Sequence, residues 1–176
     1  MEERIIAADP VADPQGYRRE LLALLGDGDP AQVLAATLAA FQERTSGLHD
    51  ELISRRPEPG EWSVAELLGH LWDAELAYAF RARAILAQDQ PQLPAYDQVA
   101  WATLARPPFA ELLASFAALR SANLALIRDT PAGVWERAGV HEERGLTSFR
   151  VATDEIAGHA RAHQLQLDQT VAAVRR

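Results

Sequence analysis

Apolar residues recur at intervals of three and four along most of the chain, which is the period of a helix with one buried face. Four such stretches are long. They run from Asp29-Pro30 to just before Pro57, from about Val64 to about Ala87, from about Pro108 to Asp129, and from Thr147 or Ser148 through Val171. A shorter amphipathic stretch extends from Asp13-Pro14 to near Gly26. The pattern predicts four long helices and a short extra N-terminal helix.

The predicted helix starts carry side chains that cap helices. An aspartate followed by proline supplies a capping oxygen and a residue whose fixed φ suits the first helical position. Ser63 and Glu66 have the spacing of a capping box, and Trp62 and Leu67 have the spacing of a hydrophobic staple. Glu66 is therefore assigned to the helix start and not to catalysis.

The connections between the long helices show no alternation of apolar and polar residues, so we expect no sheet. A short helical piece is predicted around residues 96–104, and residues 130–148 read as an irregular stretch. A chain of 176 residues can bury a core without disulfides or a structural metal. Four long amphipathic helices in such a chain predict an all-α protein, a four-helix bundle in a single domain over residues 1–176.

Composition narrows the classes of function. The chain has 25 acidic residues against 17 lysines and arginines, a formal charge of −8, which argues against nucleic acid or an anionic membrane as the main partner. The absence of cysteine excludes redox thiols, disulfides and thiolate zinc sites. Neither a signal-like N-terminus nor a run of about 18 apolar residues occurs. We expect a cytoplasmic protein.

Three histidines fall in register with buried apolar positions of the predicted helices. His159 and His163 stand four apart, which places both on one helix face, and His70 lies on the inner face of the second long helix. Each of His70 and His159 ends an E-x-x-G-H sequence, whose glycine could let two helix backbones approach closely. Three imidazoles could hold one metal ion with a position left open. A hydrogen-bonded core residue is the alternative, favoured for His70 taken alone.

These residues resemble those of the DinB-like (YfiT-like) family of metal-dependent bacterial proteins. The similarity is carried by Pro57–Glu75 with its W-S-V and G-H elements, by the Arg120 region, by Gly139–Gly145, and by H-x-x-x-H at the last two histidines. The resemblance implies a four-helix bundle in up-down-down-up order. It also implies a divalent metal, most often nickel or zinc, held by His70, His159 and His163. Many relatives are homodimers. Ala160 stands where relatives often have an acidic residue.

Characterised members of the family include transferases of low-molecular-weight thiols and a thiol-dependent isomerase. A metal with an open position can lower the pKa of water or of an incoming thiol. Because the chain has no cysteine, the sulfur would come from a cosubstrate. The first hypothesis is thus a metal-dependent S-transferase acting on a small electrophile. The alternatives are a metal-dependent hydrolase and a non-catalytic metal- or ligand-binding stress-response bundle, and no catalytic residue is assigned.

Four further residues are candidates for the surroundings of the metal. Glu155 lies one turn before His159 and could orient an imidazole, or be a solvated glutamate. Arg120 and Asn123 could bind a carboxylate of a peptide-like thiol, although an internal salt bridge of Arg120 to Asp73 or Glu75 is preferred.

His141, in the irregular stretch, could line the substrate side or be a solvated loop residue. His49 is interpreted as a boundary residue of the first helix. The tryptophans, Trp62 included, are interpreted as packing residues.

Overall fold

The computed structural model describes residues 5–176. Its helices and strands are α1 Pro14–Leu25, α2 Pro30–Thr45, α3 Asp50–Ser54, α4 Val64–Ala87, β1 Gln92–Leu93, α5 Gln98–Ala102, α6 Phe109–Asp129, β2 Ala138–His141, β3 Gly145–Ser148 and α7 Phe149–Val174. A turn of 3-10 helix, Ala132–Val134, precedes β2.

The core divides into two clusters, and these give the directions of the four bundle helices α2, α4, α6 and α7. The early part of α2 and of α7 packs in the first cluster, and their later part in the second. For α4 and α6 the order is reversed. The first cluster includes Leu34, Ile85, Ile127 and Phe149; the second includes Phe41, Leu67, Phe116 and Leu167. Thus α2 and α7 run one way and α4 and α6 the other, which confirms the predicted up-down-down-up bundle.

Capping side chains begin the helices where the sequence predicted them. Asp13 and Asp29 accept hydrogen bonds from the backbone N–H groups of Gly16 and Gln32. The capping box of Ser63 and Glu66 forms in both directions. At α7 the cap is Ser148 and not Thr147, since the Ser148 hydroxyl accepts from the N–H of Val151.

The prediction of one continuous first helix was wrong. α2 ends at Thr45, and α3 begins only at Asp50. Gly47 between them has φ +76°, a left-handed conformation that breaks a helix and that glycine adopts without steric cost. Leu48 still packs against the core. The three-and-four spacing of apolar residues therefore continues past Gly47, although the helix does not.

The prediction of no sheet was also wrong. β1 pairs in parallel with β2, and β2 pairs antiparallel with β3 in a hairpin that places His141 opposite Gly145. The strands have two, four and four residues, which is too short for an alternating pattern to stand out. The sheet lies in the two stretches between helices, and it connects the α4–α6 crossover to the start of α7.

Among the helices of residues 5–176, α6 alone is long and apolar enough to cross a membrane by length and composition. A core helix of a soluble protein meets the same criteria. α6 packs Leu112, Phe116, Leu124 and Ile127 into the bundle.

The two glycines of the E-x-x-G-H sequences do not bring α4 and α7 together, which corrects the expectation. A Cβ on Gly158 would overlap the backbone carbonyl of Leu21, so this glycine lets α1 approach α7. A Cβ on Gly69 would meet the Arg106 side chain at 3.4 Å. The two E-x-x-G-H sequences therefore take part in different contacts, one with α1 and one with the Arg106 side chain.

Gly158→Ala is expected to lower the free energy of unfolding by about 2–3 kcal/mol, because backbone atoms of α1 would have to move. Gly69→Ala is the matched control. There the flexible Arg106 side chain can yield, and alanine gains up to about 1 kcal/mol of helix propensity. Urea unfolding of both variants measures the difference. Equal losses in the two would contradict this role for Gly158.

Candidate metal centre

The three predicted histidines meet in the bundle. The Nε2 atom of His159 lies 2.9 Å from that of His70 and 3.2 Å from that of His163. One ligand atom from each of the three residues falls within 4.8 Å of the other two. The helix α4 supplies one ring, and α7 supplies two from successive turns.

The distances of 2.9 and 3.2 Å from the Nε2 of His159 suit a shared cation. Imidazole nitrogens about 2.0–2.1 Å from one ion in tetrahedral or octahedral positions lie about 2.9–3.4 Å apart. Gln166 supports this orientation, because its Oε1 lies 2.9 Å from Nδ1 of His163 and can accept the proton there. The Nε2 lone pair of His163 then faces the other two rings. Three converging lone pairs repel one another unless a cation or a proton lies between them.

Burial keeps the rings neutral, the form that binds metal. Desolvation, with smaller contributions from His163 and Arg106, lowers the pKa of His70 to about 3. Desolvation lowers the pKa of His163 to about 4. The pKa of His159 also lies well below its usual value, chiefly through burial and then through the other two rings.

Trp62 covers one side of the cluster. Its ring stacks on His163 at a centroid distance of 6.0 Å and an interplanar angle of 20°, and its centroid is 4.9 Å from that of His70. The tryptophan before the capping box is therefore a packing residue, as predicted, and its neighbours include two of the candidate ligands.

Two cavities flank the histidines. The smaller, about 70 Å³, reaches His159. The larger, about 730 Å³, reaches His70 and His163 and is partly lined by residues 5–10. Tyr17 and Gln98 border both cavities. The candidate centre therefore has space on two sides.

Glu155 does not have either of its predicted roles. It is 5% exposed, and its carboxylate binds the guanidinium groups of Arg18 and Arg144 instead of an imidazole. It is a buried ion-paired residue in the wall of the smaller cavity.

His141 is not a solvated loop residue. It ends β2 with 3% of its surface exposed, and it lines the smaller cavity. Its Nδ1 accepts the backbone N–H of Glu143 at 3.2 Å. Burial and then Arg81, Arg144 and Arg18 lower its pKa to about 3.

Arg120 and Asn123 lie in the core with no exposed surface, and neither lines the two cavities described above, so the predicted contact with a substrate carboxylate has no support. Arg120 Nε donates to Glu75 at 2.8 Å, and Asn123 Nδ2 donates to the same carboxylate at 2.9 Å. The preferred prediction, an internal salt bridge of Arg120 to Asp73 or Glu75, is confirmed, and Glu75 is the partner. Asp73 pairs with Arg106.

Sequence reasoning missed three arginines around the smaller cavity, namely Arg18 of α1, Arg81 of α4 and Arg144 of the hairpin turn. No pattern in the chain indicates them, since each looks like an ordinary polar-face or turn residue. Only the fold brings them to one place. His49 is exposed, consistent with its interpretation as a boundary residue.

The up-down-down-up bundle and the histidine cluster between α4 and α7 define a four-helix-bundle protein with a candidate metal centre. Residues 33–167 match the family model of the DinB superfamily. The chain belongs to the DinB superfamily, as the sequence motifs indicated.

Three similar proteins are all named as metal-dependent hydrolases. In Oceanobacillus iheyensis, "Putative metal-dependent hydrolase OB0413" is 33% identical over 60 residues, covering 34% of this chain and 35% of that protein. "Putative metal-dependent hydrolase OB0782" is 26% identical over 118 residues, covering 66% and 69%. A "Putative metal-dependent hydrolase" of Geobacillus thermodenitrificans is 30% identical over 66 residues, covering 38% and 37%. The match thus spans about a third of the first and third relatives.

A solved structure shares the fold. YfiT from Bacillus subtilis, described as "a probable metal-dependent hydrolase with an unusual four-helix bundle topology", superimposes with a TM-score of 0.73. The match covers 80% of this chain and 83% of that one at 21% sequence identity. At this identity the likeness establishes the bundle topology.

Proposed function

We propose that the protein is a metal-dependent enzyme whose His70, His159 and His163 hold one divalent ion beside a substrate cavity. The observation that carries the proposal is the convergence of three imidazoles in which the Nε2 of His159 lies at distances from the other two Nε2 atoms that fit a shared ion. When bound, the ion would supply Lewis acidity, polarising a substrate and lowering the pKa of a water or thiol nucleophile. The names of the relatives support metal dependence.

The chain's own residues prepare the site for this role. Gln166 holds the tautomer of His163 that leaves Nε2 free to bind. Burial keeps all three rings unprotonated near neutral pH. Trp62 packs against two of the rings and limits their motion. A donor set of three imidazoles suits nickel or zinc, the two ions we propose.

Hydrolysis of a small molecule is the reaction we propose first, because the relatives are named as hydrolases. Thiol-dependent transfer is the second candidate. It needs an electrophile and a thiol at the site together, and the cavity of about 730 Å³ next to His70 and His163 has room for both. The two reactions would use the same ligands and differ only in the nucleophile.

Protein purified without a histidine tag is expected to contain close to one nickel or zinc ion per chain by elemental analysis. His163→Ala should lower this content to a small fraction, because two imidazoles bind a divalent ion far more weakly than three. His49→Ala, which removes an exposed histidine from the same chain, is the control. Equal metal content in all three proteins would reject the proposed centre.

The nucleophile is identified from products. The metal-loaded protein would be incubated with small esters and amides, and with 1-chloro-2,4-dinitrobenzene plus a low-molecular-weight thiol. Hydrolysis yields the acid without thiol, whereas transfer yields a thioether only when thiol is present. Either activity should disappear in His163→Ala and persist in His49→Ala. Turnover by neither route across these probes would favour a non-catalytic binding protein.

A further inference from the structure

The smaller cavity carries an excess of positive charge. We name it the arginine cavity; its polar walls include Arg81, Arg144, His141, Tyr17, Tyr96 and Glu155. We propose that the arginine cavity binds a carboxylate group of the substrate. That the bound molecule is the substrate rests on the proposed function, whereas the binding of a carboxylate does not.

The first support is the balance of charge. The positive charges of Arg18, Arg81 and Arg144 lie close enough to His141 to lower its pKa. Among the described residues that line the cavity, Glu155 alone is acidic. The lining residues Arg81 and Arg144 against Glu155 leave a formal excess of one positive charge, in a chain whose net charge is −8, and Arg18 pairs with Glu155 from outside the lining. The two acids of the hairpin turn, Glu142 and Glu143, are exposed to solvent. Buried charge in excess favours a bound counter-ion.

The second support is a set of buried donors without acceptors. Arg144 Nε, His141 Nε2 and His159 Nδ1 are buried and have no hydrogen-bond partner, although buried polar atoms usually have one. All three residues line the arginine cavity. Since Nδ1 of His141 accepts an N–H, the neutral ring carries its proton on Nε2.

The same reasoning makes His159 a donor. If its Nε2 faces the other two histidines as a ligand, its proton is on Nδ1. The three orphaned atoms are then all donors, and a group with two acceptor oxygens would satisfy them. Arginine pairs with planar carboxylates in a fork of two hydrogen bonds.

The third support is size and position. A cavity of about 70 Å³ has room for a carboxylate and a short carbon stem, given that a single water molecule needs about 10–15 Å³ of cavity volume. Tyr17 and Gln98 border both cavities, so the arginine cavity lies next to the larger cavity that reaches His70 and His163. The substrate class is thus an elongated small molecule with a terminal carboxylate and its reactive group nearer the metal centre.

The test uses butyrate as the probe and butyramide as its neutral isostere, titrated by calorimetry into the full chain after chelator treatment. Without metal, a carboxylate cannot coordinate an ion and must use the cavity. Butyrate is expected to bind and butyramide is not. Arg144→Gln and Arg81→Gln should each weaken butyrate at least about tenfold, because each removes a charged donor. Arg150→Gln is matched in charge change and pairs with Glu136 on the surface, so it should stay within about twofold.

Circular dichroism checks that each variant is folded. Because two arginine variants are made, the test still gives a result if one of them does not fold. Equal binding of butyrate and butyramide, no binding of butyrate, or equal weakening in Arg150→Gln would overturn the proposal. Binding of inorganic phosphate with exclusion of butyrate would also overturn it. Butyrate binding in a chain that takes up no metal would reject the proposed metal centre alone, and metal uptake without butyrate binding would reject the arginine cavity alone.

Discussion

Glu75→Ala is expected to lower the free energy of unfolding by about 3–5 kcal/mol, since removing one member of a buried ion pair leaves the other charge without compensation. Glu75 and Arg120 have no exposed surface. The carboxylate accepts from Arg120 Nε and from Asn123 Nδ2, and Arg120 Nη1 also donates to the carbonyl of Leu34 at 2.7 Å. The pair therefore connects α4, α6 and α2 in the middle of the bundle.

The double variant Glu75→Leu with Arg120→Met distinguishes the charge from the packing. Well-packed apolar residues can replace a buried ion pair with little loss, so the double variant should be more stable than Glu75→Ala. Urea unfolding of the wild type and the variants gives the comparison. A loss below about 1 kcal/mol in Glu75→Ala would show that the unpaired guanidinium finds water or another acceptor. A double variant no more stable than Glu75→Ala would show that the unpaired charge of Arg120 is not what causes the loss.

Lowering the pH from 7 to 5 is expected to destabilise the metal-free protein by up to about 8 kcal/mol, which is comparable with the whole stability of a domain. Four histidines inside the bundle or its cavities have a lowered pKa in the folded state, the buried His141 and His159 and the half-buried His70 and His163. In the unfolded chain each titrates near 6.5. Between that value and the folded pKa, the unfolded state binds more protons, so stability falls as the pH falls. Each histidine contributes about 2 kcal/mol over these two pH units.

His141→Gln is the control for the pH dependence, because His141 is not among the candidate ligands. It should reduce the loss between pH 7 and pH 5 by about 2 kcal/mol, the share of one histidine. Comparing each protein with itself at the two pH values cancels any pH-independent cost of the substitution. Chemical unfolding at pH 7 and pH 5 in the presence of chelator gives the change in the free energy of unfolding for each protein. An unchanged loss in His141→Gln would mean that this ring becomes protonated in the folded protein.

Local chemistry explains which predictions were correct. Caps at Asp13, Asp29, Ser63 and Ser148 act within three residues, so the sequence reveals them directly. The register of the three histidines on inward faces follows from the helical period alone. The motifs around these histidines also indicated the superfamily that the family model supports.

Local chemistry also explains the errors. The first long stretch kept its apolar period while the backbone turned at Gly47, because burial of Leu48 does not require a continuous helix. The three short strands gave no periodic signal. The repeated E-x-x-G-H sequence suggested one contact, whereas Gly158 meets α1 and Gly69 meets Arg106.

The sequence by itself determined most of the helix starts, the helical bundle and the inward register of the three histidines, because periodicity and capping depend on neighbours within a turn or two of the chain. Tertiary structure alone decided which polar residues share a cavity. Arg18, Arg81 and Arg144 come from α1, α4 and the hairpin, and they meet around Glu155 and His141 only after the bundle closes. Likewise the sequence left Asp73 and Glu75 as alternative partners of Arg120, and the tertiary packing places Glu75 beside it. Ion pairs between residues that are far apart in the sequence depend on how the helices pack, so the local sequence around each residue does not reveal its partner.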